Sequence, residues 1–188
     1  MRRVTAMSCS WEHPPRYGGK RDDRPGLAAT ISSLQGGAVM RQHRHVGAYG
    51  LLHEDGRILL IRKARGPYTG QWDLPGGRIE FGESPEDTVR RELQEEAGLT
   101  VAVGTLLSVV SERRSYRAPD GEEEELHHIG IIYEVAAEPR GVLRCGPDGQ
   151  DSLGAEWFEE AGLPEGELSP MVRGALGDLP GASSRRPG

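Results

Sequence analysis

Residues 77–99 read Gly-Arg-Ile-Glu-Phe-Gly-Glu-Ser-Pro-Glu-Asp-Thr-Val-Arg-Arg-Glu-Leu-Gln-Glu-Glu-Ala-Gly-Leu, and the interpretation of the whole chain turns on them. Ser84-Pro85-Glu86-Asp87 opens a helix: serine is a favoured N-cap, proline is pre-set for the first helical position, and two acids suit the positive helix end. Val89, Leu93 and Ala97 recur every four residues and form one buried stripe, and Gly98 is the usual left-handed terminator. The second half of this helix runs against helix electrostatics. Glu92, Glu95 and Glu96 stand at i, i+3 and i+4, where like charges cost a few tenths of a kcal/mol per pair. They also crowd the negative end of the macrodipole, a further cost of roughly 0.3–1 kcal/mol each. A positive group is therefore expected to meet them. Arg91 is one, with Asp87 and Glu95 four residues to either side. A divalent cation is the natural second, because clustered carboxylates are hard oxygen donors suited to Mg²⁺ or Mn²⁺. For three glutamates alone, a solvated acidic face is the bland alternative.

Before this helix, Val46–Leu52 and Arg57–Arg62 read as strands joined by a turn at His53–Gly56, with Asp55-Gly56 as the hairpin signal. A loop over 63–70 leads to a short extended run, Trp72–Leu74, and to Pro75-Gly76-Gly77. After it, two longer strands are expected near 101–113 and 126–136. They are joined by a turn-rich loop of Pro119-Asp120-Gly121 and Glu122, Glu123, Glu124 and Glu125. Short strands at Val142–Arg144 and Glu156–Phe158 follow, then a helix capped by Ser169-Pro170 and running to Leu176. Strands on both sides of a central helix imply an α/β fold with a mixed sheet packed by helices. Residues 1–44 carry no periodicity and are broken at Pro14-Pro15, Gly18-Gly19, Pro25-Gly26 and Gly36-Gly37, so they read as a flexible basic tail. The folded domain is expected over 45–178 and a second flexible tail over 179–188. Met40 directly precedes the first ordered segment and is the expected natural start, with residues 1–39 an extension.

The chain has 188 residues and a mass of 20.5 kDa, with 36% hydrophobic and 28% charged residues and a mean hydropathy of −0.55. This suits one domain with a sizeable core. The two cysteines, Cys9 and Cys145, are too few for a disulfide framework, and the longest apolar run, 101–110, is broken by Gly104, Thr105 and Ser108. No membrane span and no secretory signal are expected, and a reducing, cytoplasmic setting is the default. The net charge of −6 hides an asymmetry: residues 1–44 carry +5 and residues 45–188 carry −11. An acidic body argues against a nucleic-acid polymer as the partner, since phosphate backbones need a basic surface. It does not exclude small phosphorylated ligands held through metal ions.

Gly77, five residues, Glu83, seven residues, then Arg91-Glu92-Leu93-Gln94-Glu95-Glu96-Ala97-Gly98-Leu99 resembles the Nudix box, the defining motif of Nudix hydrolases. Nine specified positions are filled across 23 residues, which makes chance a poor explanation. Softer similarity covers about 46–176: the Leu74-Pro75-Gly76-Gly77 turn, the hairpin before it, and the late strand Glu156-Trp157-Phe158. The resemblance implies the Nudix fold, a mixed β-sheet sandwiched between helices (α/β/α). It also implies hydrolysis of a diphosphate linkage joining a nucleoside diphosphate to another moiety. By that likeness Glu92, Glu95, Glu96, Glu83 and the Gly76 carbonyl hold Mg²⁺ or Mn²⁺, and Arg91 orients the glutamates. The general base is left among Glu92 and Glu122, Glu123, Glu124 and Glu125.

Candidates for substrate contact are Arg62, Arg65 and Trp72 near the glycine turn, and Arg113 and Tyr116 farther on. Alongside Arg62 and Arg65, Lys63 is another cation suited to terminal phosphates. His127 and His128 are expected to alternate between cleft and core. In members that cleave ADP-ribose a proline often lies about fifteen positions past the box, where Ser115 stands here. In members that cleave dinucleoside polyphosphates a tyrosine often lies near the place of Tyr116. The substrate therefore stays open among nucleoside triphosphates (including oxidised ones), ADP-ribose or sugar nucleotides, and dinucleoside polyphosphates. A homodimer is compatible with the reading. The alternative from another class is a nucleotide sensor that keeps the fold without turnover.

Overall fold

A computed structural model describes residues 40–138 and 141–177; of the segments expected as tails, 1–44 and 179–188, only residues 40–44 fall among the described residues. The elements are β1 (Arg41–Glu54), β2 (Arg57–Lys63), β3 (Trp72–Asp73), β4 (Gly76–Arg78), α1 (Pro85–Glu92), β5 (Val101–Arg117), β6 (Glu123–Ala137), β7 (Ser152–Glu159) and α2 (Pro170–Gly177). The sheet order is β3-β2-β1-β6-β5, with β4 added to β1 and β7 to β2. It is mixed. β1 and β6 run parallel from Arg41 opposite Glu124 to Leu52 opposite Val135, and the other ladders are antiparallel.

The apolar runs of β1 and β2 are continuous because both faces of the sheet are covered. Ala48, Leu52, Leu59 and Ile61 pack with Val89 and Leu93 from the α1 side. Tyr49, Leu51, Ile58 and Leu60 pack with Met171 and Val172 of α2 on the other. This is the expected α/β/α arrangement. Each fully buried leucine, isoleucine or valine contributes on the order of 1.5–3 kcal/mol.

Local chemistry explains most boundaries. The Ser84 side chain accepts a hydrogen bond from the Asp87 N–H at 3.1 Å, and Pro85 follows it, as the N-cap reading expects. The helix then departs from its expected form. α-Helical bonding stops at Glu92, and Leu93–Ala97 forms a π-helical turn before Gly98, whose φ is +72°. Such widened turns occur often at functional sites.

Other boundaries differ from expectation for tertiary reasons. β1 begins at Arg41, ahead of the expected Val46. Arg41–His45 carry no apolar alternation and are held as a strand by their ladder with Glu124–His128. The β5–β6 ladder takes Glu123, Glu124 and Glu125 out of the expected loop and into β6, opposite Arg117, Tyr116 and Ser115. β4 was not foreseen, because three residues with two glycines carry no strand signal; it forms by pairing Gly76, Gly77 and Arg78 with Tyr49, Ala48 and Gly47. Val142–Arg144 is not a ladder strand. It is tied instead by single bonds, Arg144 N–H to Ala97 O at 2.8 Å and Ala155 N–H to Arg144 O at 3.1 Å.

Candidate active site

The β4 pairing brings the glycine turn against the end of α1. The Gly76 N–H donates to Glu96 Oε2 at 2.9 Å. Gly77 leaves room for Glu92: a Cβ there would collide with the Glu92 carboxyl group. Glu96 is 1% exposed, and its Oε1 has no hydrogen-bond partner. The nearest cation is Lys63, with Nζ 3.6 Å from that oxygen. Burial pushes the Glu96 carboxyl up to about 8, against the pull of Lys63 and the Gly76 N–H. Burial also raises Glu92, opposed by Arg91. Lys63 is kept in its charged form despite burial by Glu96, Asp73, Asp151 and Glu92.

Arg91 is the hub of the exposed side. It grips Glu83 through two bonds, Nε to Oε1 at 2.7 Å and Nη2 to Oε2 at 3.0 Å. Nη1 reaches Glu92 Oε1 at 2.7 Å and Glu95 Oε2 at 3.4 Å, and Nη2 also donates to the Arg78 carbonyl at 3.1 Å. The paired guanidinium lowers Glu83 to about 2. The expected Asp87–Arg91 contact does not form: Asp87 pairs with Arg90 at 2.8 Å, because Glu83 has taken the fork of Arg91. The three helix glutamates differ in burial. Glu96 is buried and Glu92 mostly so, while the Glu95 side chain is 47% exposed.

The other sequence-derived candidates are engaged elsewhere. Arg62 pairs with Glu167 at 2.6 Å and lies over the Trp72 ring, which is itself buried against Phe158. Arg65 pairs with Asp151. Arg113 pairs with Glu125 at 2.5 Å, Tyr116 donates to Glu124 at 2.6 Å, and Arg117 meets Glu123 at 3.3 Å. Glu122 donates its backbone N–H to Asp120. His127 reaches Ser111 at 3.0 Å, whereas His128 is buried at 3% exposure.

Several residues not among the sequence candidates border the Gly76–Glu96 latch. Tyr49, the ladder partner of Gly76, shares a 2.7 Å hydrogen bond with His128 Nε2 and lies 3.4 Å from His45 Nε2. Tyr68 packs on His128 with ring centroids 5.6 Å apart. Asp73, 2% exposed, accepts from Ser169 Oγ at 2.5 Å and from the Leu74 N–H at 2.9 Å, and burial raises its carboxyl. Strand register, with the loop that carries Tyr68, brings these residues together. The one sequence signal was the His127-His128 alternation.

The donor chemistry fits a hard divalent cation: buried carboxylates, one with an unpartnered oxygen, beside a glycine-turn carbonyl. Among the described residues, no three His, Cys, Asp or Glu side chains converge as a ready-made ion cage. Arg91 and Lys63 stand against these carboxylates instead.

With the fold and this carboxylate-rich turn in view, the comparisons define the class. The NUDIX domain model matches residues 41–174. The chain belongs to the NUDIX family and is a Nudix hydrolase by family. It is 36% identical over 123 residues to the ADP-ribose pyrophosphatase of Methanocaldococcus jannaschii, a match covering 65% of this chain and 66%, just under two thirds, of that protein. It is also 36% identical over 130 residues to the nucleoside triphosphatase NudI of Escherichia coli O139:H28, covering 67% of this chain and 89% of NudI. Among solved structures, a MutT NUDIX hydrolase from Burkholderia pseudomallei superposes with a TM-score of 0.56 at 35% identity, covering 73% of this chain and 99% of that one. The family generally requires a divalent metal. No helix among the described residues is long and apolar enough to cross a membrane.

Proposed function

We propose that the protein hydrolyses the diphosphate linkage of a nucleoside diphosphate joined to another moiety, with Mg²⁺ or Mn²⁺ held by Glu92, Glu95, Glu96 and the Gly76 carbonyl. The observation that carries this reading is Glu96: a carboxyl group buried beside the glycine turn, latched by one oxygen and left without a hydrogen bond on the other. A buried carboxylate in that state costs stability unless something positive completes it. When bound, a divalent ion supplies charge neutralisation of phosphoryl oxygens and a more acidic water.

The chain's own residues do the rest. The Gly76 N–H fixes one Glu96 oxygen, and Arg91 holds Glu92 and Glu95 in place. Glu83, both of whose oxygens are bonded to Arg91, acts mainly by anchoring that guanidinium. Glu92 is the favoured general base because its carboxyl group lies against the Gly77 turn, whereas Glu123, Glu124 and Glu125 pair with side chains within the β1–β6–β5 ladders. Arg62, Arg65, Arg113 and Tyr116 serve the substrate only by exchanging their present carboxylate partners for phosphate; Trp72 supports Arg62 from the core. The working unit is the folded domain, expected over 45–178 and extended at its start by the first residues of β1 from Arg41, in a cytoplasmic setting, with a nucleotide-type small molecule as partner.

The names of the relatives favour two substrate groups, ADP-ribose and nucleoside triphosphates. The test is a panel of both, with sugar nucleotides and dinucleoside polyphosphates, in Mg²⁺ or Mn²⁺ beside Glu96→Gln. Turnover lost at least about a hundredfold in the variant is expected. A folded wild type that leaves the whole panel intact sinks the proposal in favour of a nucleotide sensor.

A further inference from the structure

Every substrate candidate legible in the sequence already has a partner, but several other buried atoms do not, two of them on rings that touch. The Tyr68 hydroxyl and His128 Nδ1 are buried without a hydrogen bond. Their residues are 5% and 3% exposed. A native fold seldom leaves two such atoms orphaned on rings in contact with each other, and each deserves a reason. These rings lie 5.6 Å apart, with Tyr49 a further 5.6 Å from His128 and His45 at 4.8 Å. Arg114 lies over the Tyr68 ring at 5.1 Å.

The wall has a defined chemistry. It is aromatic and, in its two imidazoles, neutral: burial drops His45 to about 4 and His128 to about 3. Uncharged aromatic rings are well suited to a flat heterocycle with donor and acceptor edges, and the Arg114 guanidinium borders them over Tyr68. The wall also has a defined place. Tyr49 is the ladder partner of Gly76, and the Gly76 N–H holds Glu96, so a single residue separates the wall from the carboxylates. A nucleotide whose diphosphate meets the glycine turn would carry its base toward these rings.

Resting on the hydrolase reading above, we propose that Tyr68 and His128 select the nucleobase of the substrate through the Tyr68 hydroxyl and His128 Nδ1. A site that hydrogen-bonds a substrate edge rejects analogues lacking that edge more strongly than an apolar pocket does. The other half of the substrate, beyond the diphosphate, is not read here.

Tyr68→Phe is the decisive variant, because removing an unpartnered buried hydroxyl leaves the fold intact or stabler. The wild type and Tyr68→Phe are compared in kcat/KM for ADP-, GDP-, CDP- and UDP-linked substrates and for an abasic ribose diphosphate ester, with melting temperatures recorded. The preference for the best base over the abasic ester falls about tenfold or more, with an unchanged or higher melting temperature. His128→Gln is expected to lose the same preference. Calorimetric binding of ADP, GDP, CDP and UDP to both proteins needs no turnover. Weaker and less discriminating nucleotide binding in Tyr68→Phe, with no turnover even by the wild type, supports the wall and sinks the hydrolase reading. Equal base preference and equal nucleotide binding in wild type and Tyr68→Phe overturns the proposal.

Discussion

At Glu96 one carboxyl group answers to two demands: the fold buries it, and the proposed chemistry needs it ionised. Its raised value, about 8, has a consequence for the metal-free protein. Between the ordinary value near 4.5 and about 8, the folded state holds a proton that the unfolded state has released, so this group's contribution to stability falls as pH rises through that window. The buried histidines act with the opposite sign: their depressed values favour the fold as pH rises toward 6.5. The expected result is therefore a difference. In EDTA, Glu96→Gln gains melting temperature over wild type progressively from pH 5 to pH 8; parallel curves would contradict it. Arg91 makes a second prediction at this scale. Its fork spans Glu83 and Glu92, a geometry that lysine cannot reproduce. Arg91→Lys should lower kcat about tenfold or more even at saturating metal, and retained kcat would show that charge alone suffices. The crowding of Glu92, Glu95, Glu96 and Arg91 was legible because it is local. Lys63, Tyr68 and His128 were not read as one site, because only strand register and the loop that carries Tyr68 bring them to Glu96 and Tyr49.

The turn and the helix that face each other are matched element to element. Gly77 is small because the Glu92 carboxylate occupies the space a side chain would need. Gly77→Ala is expected to displace Glu92 and cut turnover about tenfold or more while moving the melting temperature by only a few degrees. A variant with full activity would show that Glu92 does not depend on that space. Gly98 differs in kind. Its φ of +72° is a left-handed position, where a Cβ costs roughly 1–2 kcal/mol, and here it would also press on the Val142 carbonyl. Gly98→Ala should therefore lower the melting temperature by several degrees; an unchanged melt would deny the helix stop its role. Existence and type of the long elements were readable from periodicity and caps. The π-helical turn was not, because both it and an α-turn bury Leu93 and Ala97. Its effect on the glutamates appears only once the turn packs against β4.

At the level of the molecule, β1 is the shared member of the assembly. Its first residues, Arg41–His45, look like a tail in the sequence and act as a strand in the fold. A chain trimmed to begin at Val46 is expected to melt several degrees lower than one beginning at Met40. Equal melting temperatures would show that this part of the ladder contributes nothing. The α/β/α layering followed from hydrophobic pattern, whereas the sharing of β1 among β2, β4 and β6 could not, since pairing partners are a property of the folded chain. Gly47, Ala48 and Tyr49 face β4 along one edge and Gly130, Ile131 and Ile132 of β6 along the other. The spacing between the carboxylate cradle and the aromatic wall is thus fixed by backbone ladders on either side of a common rail. On the proposed reading, mutation can then rewrite the wall's side chains, and so the taste for one cargo over another, without disturbing the hardware that cuts.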